Sequence, residues 1–145
     1  MRKIIKDKKR LCIPCVDVNY KIGLKIASTL ISTALVLGNA RGLAHNQIGG
    51  NKRVFIAKIN NRWRKFINPQ ILELSPDTYE TLECCFSCVG DIKVKRHHTI
   101  RIRHQNKVDG LIEETFVGDD AQVIQHEIDH LNGTTINDII INGDK

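Results

Sequence analysis

The sequence has few aromatic residues, few prolines and no long hydrophobic run. Aromatic residues make up 5% of the 145 residues, so we expect an aliphatic core in which isoleucine is prominent. The longest apolar run, 34–37, falls far short of the roughly 20 residues that a helix needs to cross a bilayer. The basic start of the chain is not followed by the apolar segment of a secretory signal. We therefore predict a protein without a membrane partner.

Cysteine is too sparse for a small disulfide-stabilised protein, since there are five in 145 residues. An odd number of cysteines without an export signal predicts a reducing, cytoplasmic compartment, where thiols serve as ligands, nucleophiles or core residues. Hydrophobic residues at 41% and charged residues at 26% are typical of a folded globular protein. The length accommodates one domain, which we predict to cover residues 1–145.

The net charge of +6 is unevenly distributed along the chain. Six Lys or Arg residues lie in 1–10 and six in 52–65, whereas 109–129 holds seven acidic residues and no Lys or Arg. A basic face is suited to contact with the ribosome or with nucleic acid. We interpret the basic segments as a solvated surface, keep contact with the ribosome as the alternative, and expect no specific nucleic-acid partner.

Hydrophobic periodicity predicts two helices among several strands. The predicted segments are an irregular arm at 1–20, helices at 23–38 and about 119–131, strands at 53–59 and 63–72, and a strand or hairpin at 92–104. Asn60-Asn61 is a turn signal between the first two strands. Asp119 and Asp120 suit the start of the second helix, both by capping and by charge. Strands surrounding a helix, with another helix earlier in the chain, predict an α+β fold.

The second predicted helix carries a metal-binding motif, His126-Glu127-Ile128-Asp129-His130. Residues four apart lie on adjacent turns of one helix face, so both imidazoles can converge on one metal ion. Glu127 can then reach a water held at that ion. The two histidines lie roughly opposite the apolar stripe of this helix, so a metal site requires strands to cover the helix on both sides. The alternative is a chance motif on a solvated helix.

Two upstream segments have chemistry that fits such a site. In the segment 83–87, Glu-Cys-Cys-Phe-Ser, a thiolate can supply a third ligand and leave the fourth position open to water. The alternative there is core packing of a cysteine pair. In 42–49, small residues allow close approach of the backbone, and the Gln47 amide can donate to a developing oxyanion. Alone, this segment is equally consistent with a Gly-rich loop.

In this order, the three segments resemble the motifs of peptide deformylases. That family carries a GxGLAxxQ-type motif, an EGCLS-type motif and HExDH, and the resemblance spans about residues 35 to 138. The short segment after the last helix is similar to the compact deformylases of some bacteriophages. The resemblance implies an α+β, peptide-deformylase-like fold, with antiparallel or mixed strands around a central helix that bears HExxH, plus an earlier N-terminal helix.

The resemblance also implies an activity, hydrolysis of the N-formyl group from the formylmethionine of newly made polypeptides with release of formate. One divalent metal ion, Fe(II) in the usual case and Zn(II), Ni(II) or Co(II) otherwise, would be bound by Cys85, His126 and His130. Water at the metal would attack the formyl carbon, with Glu127 as general base and then as acid toward the leaving amine. Gln47 and the backbone N–H of Phe86 would stabilise the oxyanion.

Substrate-binding positions follow from the same resemblance. The backbone of Gly42 would hold the peptide in an extended pose. Arg41 and Glu83 would also belong to the substrate-binding residues. Glu83 would also support the ligands, with Arg96 at the position of its usual partner arginine. Arg41 stands where an aliphatic residue usually lines the methionine pocket. Further departures from the family pattern occur at Ala40, His45, Cys84, Phe86 and Cys88-Val89, and none of them is an implied ligand or base.

Two other function classes compete with this interpretation. A metalloprotease would take a third ligand downstream of the motif, but the fifteen residues after His130 contain no histidine and only Asp138 and Asp144 as carboxylates. A zinc-stabilised binding module would use Cys12-x-x-Cys15 and Cys85-x-x-Cys88, which have zinc-ribbon spacing. The 69 residues between these pairs carry helix and strand signals, and the module would leave HExxH unexplained.

Overall fold

The computed structural model describes residues 3–141, which form the predicted α+β fold. The helices of this part are α1 (Lys8–Leu11), α2 (Tyr20–Leu37) and α3 (Gly118–Leu131), with a 3-10 helix at His45–Ile48. The strands are β1 (Gly42–Ala44), β2 (Val54–Ile59), β3 (Arg62–Leu74), β4 (Thr78–Glu83), β5 (Ile92–His97), β6 (Thr99–Lys107) and β7 (Gly110–Val117).

Both sheets are antiparallel. Five strands form the larger one in the order β1-β2-β3-β6-β7, and β4 pairs with β5 in the smaller one. The predicted turn joins β2 to β3, and the φ angles of Asn60 and Asn61 are 51° and 62°. Two consecutive residues with positive φ give the tight turn whose twist matches that of the flanking strands. β1 is an end strand of the larger sheet and borders the site described below.

Helix α3 is buried between strands rather than exposed on one side. Its apolar stripe packs on core residues of β2, β3, β6 and β7, and the helix also contacts β1 and β5. Glu127 and His130 are only 3% and 1% exposed. The face that carries the motif is therefore covered, as a metal site requires.

The start of α3 differs from the predicted cap. Val117 is the N-cap, with no side-chain hydrogen bond, and Asp119 and Asp120 lie in the first turn. The capping role expected for the two aspartates is therefore wrong. Their negative charges still lie where the helix dipole favours them.

Helix α2 packs on the side of the larger sheet that faces away from α3. Neighbouring strand residues point to opposite faces, so Phe55 joins the cluster of α3 while Ile56 joins Ala27 and Leu30 of α2. The helix begins three residues earlier than predicted because the Asn19 side chain accepts a hydrogen bond from the backbone N–H of the second helical residue. By length and composition alone, α2 would also pass as a membrane span, as core helices can.

The predicted strand or hairpin at 92–104 is instead two strands of different sheets. β5 pairs with β4, whereas β6 pairs with β3 and β7. The chain changes sheets at His98, an interruption that the alternating pattern does not show. The arm at 1–20 contains the short helix α1. Leu11 is the one buried residue of this helix and anchors it to the rest of the fold.

Candidate metal centre and groove

Three side chains from two distant segments bring their donor atoms together. His126 and His130 lie one turn apart on α3, with ring centroids 5.0 Å apart. Cys85 follows β4, and its Sγ lies 3.3 Å from His130 Nε2. The ligand atoms of all three lie within 4.8 Å of one another, and no other such group occurs in residues 3–141. One sulfur and two imidazoles are donors that suit zinc and iron, so this set fits a divalent metal ion.

A series of buried charged side chains holds the Nδ1 side of the His126 ring. Glu83 Oε1 lies 2.8 Å from His126 Nδ1, and the same carboxylate accepts two hydrogen bonds from Arg96, at 2.8 and 2.7 Å. Arg96, which is 3% exposed on β5, also donates to Asp129 at 2.6 Å. Such partners fix the orientation of a histidine and leave its other nitrogen for a metal.

The pKa values of this network follow from burial and hydrogen bonding. Burial alone would raise the pKa of Glu83, but hydrogen bonds from Arg96 and His126 lower it to about 2. Burial lowers the pKa of His130 to about 3, which keeps the neutral imidazole that metals bind. Burial opposes a charge on His126, yet hydrogen bonds with Cys85 and Glu83 raise its pKa to about 10. The site thus stabilises positive charge at His126 and keeps His130 neutral.

Glu127 is a buried carboxylate without a structural partner. Its Oε1 accepts no hydrogen bond within the described residues, and burial raises its pKa to about 7. A Cβ placed on Gly42 would lie 2.5 Å from Glu127 Oε2, so the carboxylate occupies the space that a side chain at 42 would take. A pKa near neutrality in a site without a structural partner is typical of a general base.

The Gln47 amide faces the same space from the 3-10 helix. Its Oε1 accepts a hydrogen bond from the backbone N–H of Ala44 at 3.0 Å, and this contact fixes the orientation of the amide. Its Nε2 then points toward the site, 3.2 Å from Ser87 Oγ and 3.4 Å from Cys85 Sγ. Phe86, between Cys85 and Ser87, is partly buried against the cluster of α2. The second motif and the glycine-rich segment therefore meet at the metal donors.

A groove of about 400 Å³ opens above these residues. Its lining includes Gln47, Glu83, Cys85, Phe86, His126 and Glu127, together with Asn39, Arg41, Gly42, Leu82, Cys84, Asp119, Gln122 and Val123. Eight of the ten site residues predicted from the sequence line this groove. The other two, His130 and Arg96, are buried and contact the lining residues Cys85 and Glu83. An exposed Arg41 stands at the rim.

Sequence reasoning missed the roles of Asp129 and Ser87. Asp129 is the second carboxylate to which Arg96 donates a hydrogen bond. Its position inside the HExDH motif could have indicated a role in the site. Ser87 Oγ accepts a hydrogen bond from the Gln47 amide, and nothing in the local sequence around Ser87 indicates that contact.

The remaining cysteines do not form the zinc module considered above. Cys12 is exposed, whereas Cys15 is buried, and burial raises the pKa of Cys15 to about 11, which favours the neutral thiol of a core residue. Cys85 and Cys88 both pack against the cluster of Ile92, Val94 and Ile136. Within the part of the chain that the structure describes, neither CxxC pair joins the other in a metal-binding group.

Comparisons with known proteins agree with this geometry. Residues 1–145 match the family model described as polypeptide deformylase. The peptide deformylase of Thermotoga petrophila is 40% identical over 100 residues, which are 68% of this chain and 61% of that protein. The chain therefore matches less than two thirds of the length of this curated relative.

Solved structures extend the similarity to nearly the whole fold. Peptide deformylase from Thermotoga maritima superposes with a TM-score of 0.87 at 32% identity, covering 98% of this chain and 99% of that one. A probable peptide deformylase from Synechococcus phage S-SSM7 has a TM-score of 0.85 at 27% identity, covering 97% and 99%. A Met-Ala-Ser-bound class I type b enzyme from Acinetobacter baumannii has a TM-score of 0.86 at 25% identity, covering 94% and 97%. By sequence, fold and site, the chain belongs to the polypeptide deformylase family.

Proposed function

We propose that this protein is a metal-dependent hydrolase that removes the formyl group from the N-terminal formylmethionine of new polypeptides. The observation that carries the proposal is the convergence of Cys85, His126 and His130 beside the unpartnered carboxylate of Glu127. Family membership supports the same activity. We further propose Fe(II) as the ion in the cell, as the family resemblance implies. Zn(II), Ni(II) or Co(II) could replace it, because thiolate and imidazole donors bind all four.

The ion would be held by Cys85, His126 and His130, whose donor atoms already face one another. When bound, a divalent ion lowers the pKa of water and polarises a carbonyl group. His126 would bind through Nε2, since its Nδ1 is engaged by Glu83 at 2.8 Å. Metal binding would release the proton that the raised pKa of His126 retains. Arg96 keeps Glu83 ionised throughout, because its two hydrogen bonds stabilise the carboxylate.

Glu127 would move the protons of the reaction. As a base, it accepts a proton from the attacking water, and as an acid it returns a proton to the amine that leaves as the C–N bond breaks. A carboxyl whose pKa is about 7 can perform both steps near neutral pH. Burial that raises its pKa also keeps bulk water from competing for the proton.

Two donors would stabilise the negative charge that develops on the formyl oxygen. The Gln47 Nε2 is oriented toward the site by the Ala44 N–H on the other end of its amide. We assign the second donor to the backbone N–H of Phe86, directly after Cys85. Donors that are already oriented need no rearrangement when the charge appears.

The peptide would lie along β1 in an extended conformation. β1 is an end strand, and a strand at a sheet edge can pair its backbone with an added peptide. Gly42 has no side chain, which permits a close approach to the backbone there, and Glu127 occupies the space that a Cβ would take. Met-Ala-Ser, the peptide bound by the Acinetobacter baumannii relative, is a suitable model for the product.

Two substitutions test the division between ligand and base. Cys85→Ala removes a metal donor, so we expect both metal content and activity to fall to background. Glu127→Gln keeps the shape but removes the proton acceptor, so we expect full metal content and a loss of about 10³- to 10⁴-fold in kcat. Formate release from formyl-Met-Ala-Ser by anaerobically purified protein, together with metal analysis, measures both quantities. Cys12→Ala, at an exposed cysteine outside the groove, is the matched control.

Two results would contradict the proposal. Loss of metal in Glu127→Gln would make Glu127 a ligand rather than a base. Cleavage of an unblocked peptide, without formate release from the formylated one, would favour the metalloprotease alternative.

A further inference from the structure

An exposed guanidinium lies at one rim of the groove. Arg41 precedes β1, and its backbone carbonyl accepts a hydrogen bond from the Lys58 N–H at 2.8 Å, which fixes the backbone at this position. Its side chain is exposed and lines the groove. Among residues 3–141, no carboxylate lies within 4 Å of it, although many of the other arginines are paired in this way.

The other charges of the groove do not cancel this one. Glu83 is engaged by Arg96, and Glu127 is buried at the floor. Asp119 lines the groove from the first turn of α3, where the helix dipole partly offsets its charge. Arg41 is the only Lys or Arg among the described lining residues. A substrate carboxylate would therefore find its cationic partner at this position.

The position of Arg41 relates it to a definite part of the peptide. Gly42 lies against Glu127, so the residue at 42 marks the reacting end. Consecutive strand residues are separated by about 3.3 Å, and side chains alternate between faces. Arg41 thus begins one residue away from the reacting end, and a side chain as long as that of arginine can reach past the first substrate residue when the spacing is about 3.3 Å per residue.

We propose that Arg41 determines specificity by favouring formyl peptides that carry a carboxylate on their second or third residue. The inference rests on the proposed function, since it concerns the same groove. The guanidinium presents several N–H donors in a planar fork that matches a carboxylate. Its aliphatic stem still borders the pocket for the first side chain, as an amphipathic side chain does when its charged end points to solvent.

The expected preference is modest because the rim is exposed. Ion pairs in water are weak, so we expect a roughly two- to fivefold higher kcat/KM for an acidic residue than for its amide. The preference arises from binding outside the reacting centre, so it should appear in KM rather than in kcat. Added salt should reduce it, since salt screens exposed charges.

The experiment compares peptides that differ by one charge. Formyl-Met-Glu-Ser and formyl-Met-Ala-Glu are each paired with the Gln analogue, all with amidated C-termini so that the terminal carboxylate does not interfere. The Glu-to-Gln ratio of kcat/KM is measured for the unmodified protein, Arg41→Gln and Arg41→Glu. Arg62→Gln, at an exposed arginine outside the groove, is the control.

In the unmodified protein we expect a ratio of roughly two to five at one of the two positions. The ratio should be near one in Arg41→Gln, inverted in Arg41→Glu and unchanged in Arg62→Gln. The inhibition constants of the deformylated peptides Met-Glu-Ser and Met-Gln-Ser should show the same order as a readout independent of turnover. A ratio near one at both positions of the unmodified protein, or an unchanged ratio in Arg41→Gln, overturns the inference while formate release upholds the proposed function. Absence of formate from every peptide overturns both.

Discussion

At the scale of single residues, Gly42 and Glu127 depend on each other. The carboxylate fills the space next to Gly42, and a Cβ at this position would also lie 2.9 Å from the Cγ and Cδ of Glu127. Because these atoms belong to the middle of a buried side chain, a small rotation of its end does not relieve the overlap. The glycine of the first motif therefore leaves the space that the Glu127 side chain of the third motif occupies.

Gly42→Ala tests this dependence. We expect Glu127 to shift by about an ångström and kcat/KM to fall about 10²-fold or more, since misplacement of that size has such an effect. The atoms nearest to a Cβ at position 42 belong to Glu127 rather than to the proposed ligands, so metal content should stay full. Formate release and metal analysis on the same sample give both values. Activity within threefold of the unmodified protein would show that the site accommodates the methyl group.

At the scale of elements, the hairpin of β2 and β3 is the clearest case of local sequence deciding local structure. Asn60 and Asn61 adopt positive φ, and Ile59 pairs directly with Arg62. Asn and Gly tolerate this conformation, whereas a β-branched residue does not. β2 places Phe55 under α3 and Ile56 under α2, so the register of this hairpin affects both cores.

Two substitutions at Asn61 separate conformational preference from side-chain contacts. Asn61→Val should lower the free energy of unfolding by about 1–2 kcal/mol, because the left-handed conformation is unfavourable for Val. Asn61→Gly also removes the amide but fits the turn, so it should leave stability within about 0.5 kcal/mol. Urea unfolding measures both. Equal losses in the two variants would assign the effect to the amide group instead.

At the scale of the whole molecule, one charged cluster links three strands of the larger sheet. Glu114 of β7 accepts hydrogen bonds from Arg64 of β3, at 2.7 Å, and from His104 of β6, at 2.5 Å. Burial raises the pKa of Glu114, but the hydrogen bonds from Arg64 and His104 outweigh it, so that its pKa lies below the usual value. The cluster is outside the groove and reports on the fold alone.

This shift predicts a dependence of stability on pH. A carboxyl whose pKa is lower in the folded than in the unfolded state stabilises the fold above the unfolded pKa, roughly 4.3 for glutamate. That contribution is lost as pH falls through the folded value. Glu114→Gln should therefore lower the free energy of unfolding at pH 7 and show a shallower decline below about pH 4.5. Chemical unfolding from pH 3 to 7 measures the difference, and parallel curves for the two proteins would contradict the assignment.

The sequence by itself determined the features that depend on neighbouring residues. The apolar stripe of α3, the two histidines four apart and the Asn60-Asn61 turn are all local, because helix and turn geometry relate residues a few positions apart. The order of the three motifs was sufficient to indicate the family. The cap at Asp119 was predicted incorrectly because a backbone turn at Gly118, with φ of 61°, starts the helix without a side chain.

No local pattern decides which distant residues meet; the family resemblance implied it, and the tertiary structure brings them together. Cys85 and His130 are 45 residues apart in sequence and 3.3 Å apart in space, and no periodicity in either segment contains that contact. The pairing of Arg96 with Glu83 depends on β4 and β5 forming their own sheet, which the pattern at 92–104 did not reveal. The raised pKa of Glu127 depends on burial that β1 and its glycine create. Local patterns encode the elements, whereas the chemistry of the site depends on how those elements exclude water from one another.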